Sequence, residues 1–304
     1  MPNLLDIRRR IRSVRNTQQI TQAMKMVSAA KLRRAQEQAL ASRPYARELA
    51  KLMAGLAAYM DPQDLADAKL EGENWPLSEL LARREVQRRL ILVVTTDSGL
   101  VGAFNANVIK AALAQIVTAA PAGLDRTRIA AAGRKGRDYF KRHGFTIAAE
   151  KIGIFARTID FQVARELARA AMRAYATHEV DEVVLVGNEF KSVLQQRLVS
   201  RRLLPIELPE AAATAAGASR DYIFETPPGQ LMAQLLPRAI DTEVYRALLE
   251  SLASEHAARM NAMEAATSNA GDLIDSLTLN MNRVRQAAIT KEIIEVVGGA
   301  AALE

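Results

Sequence analysis

Both ends of the chain carry apolar residues at alternating three- and four-residue steps, the spacing that keeps one stripe of a helix facing a partner helix. Leu4, Ile7, Ile11 and Val14 open the N-terminal stripe, and Tyr45, Leu49, Leu52, Leu56 and Tyr59 take it up again. Near the other end Leu273, Leu277, Asn280, Val284 and Ala287 obey the same rule, with Ile289, Ile293, Val296 and Ala300 on a neighbouring stripe. From Leu4 to Tyr59 only Pro44 interrupts the helical pattern, and Ser42 is placed to cap a restart, so one bent helix or two in series is expected. At ~1.5 Å per residue this arm spans roughly 80 Å, and the C-terminal arm, from about Leu231, covers about 105 to 110 Å. Helices this long cannot be buried by a core of this size, so they are expected to pair with each other. Connectivity makes that pair antiparallel and leaves the C-terminal helix roughly 20 Å longer than its partner. The overhang holds Ile293, Ile294, Val296, Val297 and then Gly298 to Leu303. A bare helix end ought to be polar, so a smooth apolar one implies a surrounding protein sleeve.

Between the arms the period changes. Leu90–Thr96 reads as a buried strand, Asn107–Ala120 as a helix, Arg128–Ala132 as a strand and Lys135–Arg142 as a helix. Phe145–Ile152 is strand-like, Ile159–Ala176 helical, and Glu182–Val186 and Val193–Ile206 supply the last strands. Alternation with short connections predicts a mainly parallel, Rossmann-like sheet with an antiparallel last strand. The expected class is α/β: a long antiparallel coiled coil of the N- and C-terminal helices plus a central Rossmann-like domain. The divisions are 1–60 for the first helix, 61–88 for a connecting loop, 89–208 for the α/β domain, 209–228 for a loop or foot, and 229–304 for the last helix. A short helix is expected around Leu77 to Arg84, with Trp75, the single tryptophan, packing the connection onto the body.

Charge is distributed unevenly. Residues 1–40 hold nine basic side chains, including Arg8, Arg9, Arg10, Lys25, Arg33 and Arg34, against Asp6 and Glu37 alone, which accounts for the whole net charge of +7. Such a helix suits an acidic protein surface, a nucleic acid or an anionic lipid, or is simply a solvated face. Nucleic acid is disfavoured because no aromatics are interleaved for stacking and the arginines are mixed with heptad residues. The absence of cysteine removes disulfides and thiolate metal sites. No stretch approaches the roughly 18 apolar residues of a membrane span.

The strongest enzyme-like signal is LILVVTTD followed by Ser98-Gly99-Leu100-Val101-Gly102 and a helix, the parts of a phosphate cradle. Its spacing fits neither nucleotide fingerprint, and two glycines closing a tight turn explain it without a ligand. Gly133-Arg134-Lys135-Gly136 invites the same two readings. His143, His178 and His256 have no partners at metal spacing, so no metal or cofactor is expected. No triad-like nucleophile motif occurs either.

Several blocks resemble one family. IRRRIRSVRNTQQITQAMKMVSAAKLRR, Ile7 to Arg34, is similar to the N-terminal helix of the gamma subunit of rotary ATP synthases. SRPY at Ser42, TTDSGLVGAFN at Thr95, SEHAARMNAMEAATSNA at Ser254 and RQAAITKEIIEVVGGAAAL at Arg285 resemble the same family. The resemblance implies a non-catalytic central shaft inside a ring of alpha and beta subunits, resting on a membrane rotor ring of c subunits and an epsilon-type subunit. It implies a proton-translocating complex at the cytoplasmic face of the bacterial inner membrane, with no nucleic acid and no substrate of the chain's own. Positions implied to meet beta subunits are Met24, Lys25, Arg33, Arg34, Arg285, Gln286 and Thr290. Ile294, Val297 and Leu303 are implied to line an apolar bearing. Asp221, Tyr222, Phe224 and Glu225 fall in the foot block. A cysteine-free chain excludes the family's plant-type thiol regulation. Two rival readings from other classes are an adaptor whose sheet binds a nucleotide and a rod that binds nucleic acid.

Overall fold

The computed structural model describes residues 4–57, 59, 65–66, 68–69, 73–119, 127–156, 158–193, 195–207 and 225–301. Its contacts form two units, Met1–Ala30 with Arg259–Glu304, and Lys31–Ala258. Helix α1, Leu4–Ala57, and helix α5, Pro228–Ala301, each contribute to both. Pro44 and Pro237 lie inside these helices without ending them. At Ser42 the side chain is no cap, because its hydroxyl donates back to Ala39 O at 2.8 Å within the continuous helix.

In the larger unit a five-stranded sheet has the order β3-β2-β1-β4-β5. The strands are β1 Arg89–Val94, β2 Thr127–Ala132, β3 Thr146–Lys151, β4 Glu182–Phe190 and β5 Gln196–Leu204. The first four are parallel and β5 is the antiparallel edge, as the alternating pattern predicts. Helices α2 Phe104–Ala119, α3 Arg134–Arg142 and α4 Phe161–Ala176 supply the crossovers.

The period of two in β1 sorts its side chains between two cores. Leu90, Leu92 and Val94 join α4 and the α1 and α5 segments of this unit, whereas Ile91 and Val93 join α2 and α3. Both faces are thus covered, which is why the strand reads as one continuous apolar run. Asp160 caps α4, accepting from Gln162 N at 3.0 Å. Tyr175 at the far end of α4 is fully buried, donates its hydroxyl to Ala82 O, and lies under the Arg84 guanidinium, 4.7 Å from the ring centroid. The expected helix around Leu77 to Arg84 is a single 3-10 turn, Leu77–Leu80, whose two leucines are completely buried. Trp75 is buried beside it, with Nε1 donating to Glu73 at 3.1 Å.

The helical seam in this unit differs from the predicted stripe. Leu32, Ala35, Ala39, Leu49, Met53 and Leu56 are buried, while Tyr45, Leu52 and Tyr59 are exposed. Leu49 and Leu56 are shared by both stripes, but Met53, not Leu52, lies inside between them. The three- and four-residue steps run unbroken from Leu32 through Ala35, Ala39 and the half-buried Ser42 and Ala46 to Leu49, Met53 and Leu56, so one phase is kept along the helix and Tyr45 and Leu52 fall outside it.

In the smaller unit α1 and α5 are antiparallel partners. Lys25 Nζ meets Glu264 at 2.7 Å, Thr21 Oγ1 meets Thr267 Oγ1 at 2.7 Å, and a Cβ on Gly271 would lie 3.3 Å from Gln18. Residue numbers rise on one helix as they fall on the other. Ile7, Thr21 and Ser28 are buried on α1, and Met263 and Ala270 on α5. Leu277 and Val284 sit half-buried on that stripe as predicted, but Leu273, Asn280 and Ala287 face outward, displaced by one helical position from Ile274, Met281 and Ala288.

Candidate functional site

The two glycine turns occupy the place where ligands bind in open α/β sheets, at the carboxyl ends of strands beside the point where strand order reverses. That point lies between β1 and β4. A phosphate there would need free N–H groups at a helix N-terminus. At α3 the chain satisfies its own. Arg134 N donates to Asp97 Oδ1 at 3.0 Å, Lys135 N to Thr96 O at 3.0 Å, and Gly136 N to Thr95 Oγ1 at 2.8 Å. The Asp97 carboxylate also accepts from Gly153 N at 2.8 Å and Phe155 N at 3.1 Å. One side chain therefore holds the ends of three connections and stands where an external anion would stand.

Asn105 locks the neighbouring turn, accepting from Thr96 N at 3.0 Å and donating to Thr96 Oγ1 at 2.9 Å. Gly133 has φ +97, and a Cβ there would collide with the Thr95 carbonyl, 2.7 Å from its carbon and closer still to its oxygen. Gly133 and Gly136 serve close packing of β1 against the β2–α3 turn, whereas a Cβ on Gly99 or Gly102 would meet nothing within 4 Å. Sequence reasoning missed the role of Asp97 because its partners lie 37 to 58 residues away. Asp97→Ala is expected to destabilise the sheet unit by about 2–4 kcal/mol, since three backbone donors lose an ionised acceptor. Urea unfolding followed by Trp75 fluorescence measures it, and Asp97→Asn, which keeps one acceptor, should lose about half as much.

Among the described residues no cluster of histidine, aspartate and glutamate has the arrangement of a metal site, and no helix is long and apolar enough to cross a membrane.

The residues implied to meet a surrounding ring fall into separate groups. Met24 and Lys25 are half-buried in the helix pair, and Lys25 is engaged by Glu264. Arg33 and Arg34 are exposed on α1, Arg33 reaching Glu37 at 3.3 Å. Arg285, Gln286 and Thr290 are all exposed on α5, with Thr290 Oγ1 donating to Gln286 O at 2.9 Å. Carrying the Lys25–Glu264 register along the pair sets Arg285 level with Leu4, about 30 Å along the helices from Met24. Beyond that level α5 has no described part of α1 opposite it. There Ile293, Ile294, Val296 and Val297 are 57%, 64%, 72% and 62% exposed. Leu303 lies outside the described residues, as do Asp221, Tyr222 and Phe224; Glu225 is exposed just before α5.

The helix pair also contains a feature that no apolar count could reveal. Gln18, Thr21, Lys25 and Ser28 occupy inward or half-buried positions on α1, and Gln18 Nε2 donates to Thr267 O at 3.5 Å. The three-four step continues through them with polar residues, which is the signal that could have located this layer.

The sequence matches the ATP synthase family over residues 3–303. It is 54% identical over 304 residues to the ATP synthase gamma chain of Solibacter usitatus, with 100% of each chain covered. The chain belongs to the ATP synthase gamma chain family. The gamma chain of Chlorobium phaeobacteroides strain BS1 is 46% identical over 308 residues, covering 100% of this chain and 99% of the relative. Among solved structures, a chain of the Euglena gracilis mitochondrial ATP synthase assembly of OSCP, F1 and c-ring in rotational state 3 aligns with TM-score 0.66 and 20% identity, over 99% of this chain and 94% of that one. A chain of the Tetrahymena thermophila mitochondrial ATP synthase central stalk and c-ring aligns with TM-score 0.59 and 23% identity, over 81% and 99%. These likenesses support the fold: long terminal helices around a mostly parallel five-stranded sheet, the arrangement expected of the family.

Proposed function

We propose that this chain is the central rotor shaft of a proton-translocating ATP synthase, coupling rotation of a membrane ring of c subunits to ATP synthesis on surrounding beta subunits. The observation that carries the reading is the row of exposed isoleucines and valines at the end of α5, in a chain related to gamma chains along its whole length. Left in water, such a surface is a liability; inside an apolar sleeve formed by alpha and beta subunits it becomes a bearing, because surfaces without hydrogen bonds can slip. Arg285, Gln286 and Thr290, with Met24, Lys25, Arg33 and Arg34, are the proposed contacts to beta subunits. The segment around Asp221 to Glu225 is the proposed foot, meeting the epsilon-type subunit and the ring at the cytoplasmic face of the bacterial inner membrane. Catalysis is assigned to the neighbours. This chain supplies differential contact, the means by which a partner biases a conformational equilibrium.

The test exploits the absence of cysteine. A V117C chain, substituted at a side chain 76% exposed on α2, is labelled and assembled with its partner subunits, the ring immobilised on a surface. ATP is expected to drive unidirectional rotation of the label, and a label that stays fixed while ATP is hydrolysed would sink the proposal. Removing Gly298 to Glu304 is expected to lower the yield of assembled complex about tenfold, the loss expected for one or two unburied apolar side chains. Circular dichroism of the isolated chain should change only by the missing residues, and an undiminished yield would count against a buried tip.

The nucleotide-binding adaptor is disfavoured by one observation, the Asp97 carboxylate standing in the cradle. Equilibrium dialysis of the purified chain with ATP and NADH should show tight binding of neither.

A further inference from the structure

An open cavity of about 380 Å³ lies between α4, the start of α5 and Lys69, all within the sheet-bearing unit. Its walls carry four cations, Lys69, Arg165, Arg169 and Arg238, against a single carboxylate, Asp241. It has room for about ten waters, more than a tetrahedral oxyanion displaces.

Asp241 is 5% exposed, yet its charge is poorly matched. Arg165 Nε stands 3.8 Å from Oδ2, beyond hydrogen-bond length, and Oδ1 has no hydrogen-bond partner. The Arg165 guanidinium lies instead 5.7 Å from the centroid of the Phe161 ring. Arg169 and Arg238 are exposed at the rim. Arg169 also acts on Glu73, whose carboxyl is held low first by its hydrogen bond to Arg173. Burial pushes the Asp241 carboxyl up to about 6, with Arg165 and Arg169 opposing the rise. The pocket therefore has more positive charge than its one acid neutralises, and that acid is held in a site that disfavours its ionised form.

We propose that this cavity binds a doubly charged oxyanion of the sulfate and phosphate class, held by Lys69, Arg165, Arg169 and Arg238, and that Asp241 regulates occupancy by taking up a proton. An ionised Asp241 repels the guest and competes with it for the arginines; a protonated Asp241 does neither. By linkage, binding tightens as pH falls through the titration of this carboxyl. The groups facing it are the two α4 arginines, Lys69 from the connection and Arg238 from its own helix. The same chemistry is offered by free phosphate and by the phosphomonoester headgroup of phosphatidic acid.

Calorimetric titration of the full-length chain with sodium sulfate tests the proposal, because sulfate keeps both charges where phosphate would titrate. Affinity is expected to rise about sixfold from pH 7.5 to 5.5, the linkage expected when a bound anion moves a carboxyl titrating at about 6 up to roughly 7. Asp241→Asn should bind at both pH values with little difference between them. Arg169→Gln and Arg238→Gln, both at exposed positions, should each weaken binding about tenfold at either pH. Absence of sulfate binding at both pH values, or binding indifferent to both arginine substitutions, overturns the site. Equal affinity at the two pH values in the unsubstituted chain overturns the role of Asp241. Parallel titrations with inorganic phosphate and with vesicles of phosphatidylcholine containing one-fifth phosphatidic acid distinguish the sources. Arginine-dependent binding of either supports the site and names its guest, and arginine-independent vesicle binding counts against it.

Discussion

Replacing Gly133 by alanine is expected to remove a large share of the stability of the sheet unit and to lower its urea midpoint accordingly. The backbone there has φ 97 and ψ 145, a region open essentially to glycine alone, and occupying it with another residue costs about 1–3 kcal/mol. The added methyl would also overlap the Thr95 carbonyl, which cannot retreat because Thr95 N is fixed to Ala132 O at 2.8 Å. Together the two effects amount to about 4 kcal/mol or more, a large share of the 5–15 kcal/mol that stabilises a typical domain. The buried Trp75 reports unfolding of this unit in urea. Gly99 is the matched control: nothing lies within 4 Å of a Cβ placed there, so Gly99→Ala should shift the midpoint little. Equal midpoints for the two variants would refute the close-packing account of the second turn.

Reversing charge at Arg33 and Arg34 should have the opposite profile, a small effect on the isolated chain and a large one on the working complex. Both side chains are exposed on α1, and the Arg33–Glu37 pair is a solvated i, i+4 contact of little consequence for stability. If the proposed contact of this patch with beta subunits is to an acidic surface, Arg33→Glu with Arg34→Glu replaces attraction by like-charge repulsion costing several kcal/mol at close approach. Proton pumping per ATP hydrolysed in reconstituted vesicles is expected to fall at least tenfold, since roughly 1.4 kcal/mol of that repulsion already changes an equilibrium by this factor. Urea unfolding of the free chain should stay within about 0.5 kcal/mol of the unsubstituted one. Unaltered pumping per ATP would remove these arginines from the coupling surface.

The sheet was legible because its information is local. LILVV is continuously apolar since both faces of β1 are covered, and Gly133 follows the next short apolar run, marking the β2–α3 turn. Leu4, Ile7, Ile11 and Val14 were equally readable, all of them half-buried or buried on one helical stripe. The phase of the stripe was less legible where small residues carry it. Tyr45 and Leu52 look like seam residues by hydrophobicity, yet the buried phase passes through Ala35, Ala39 and Met53, and alanines give no strong apolar signal in the sequence. The polar layer of Gln18, Thr21 and Thr267 was missed because periodicity was sought in apolar residues only. The cationic cavity was not legible at all, since Lys69, Arg169 and Arg238 come from three separate parts of the chain.

Asp97 makes the sheet unit self-sufficient where its connections meet. With one covalently attached carboxylate accepting from the β2–α3 and β3–α4 connections, three loops are fastened together without recourse to a bound ion, so the stiffness of this unit is expected to be set by the chain itself.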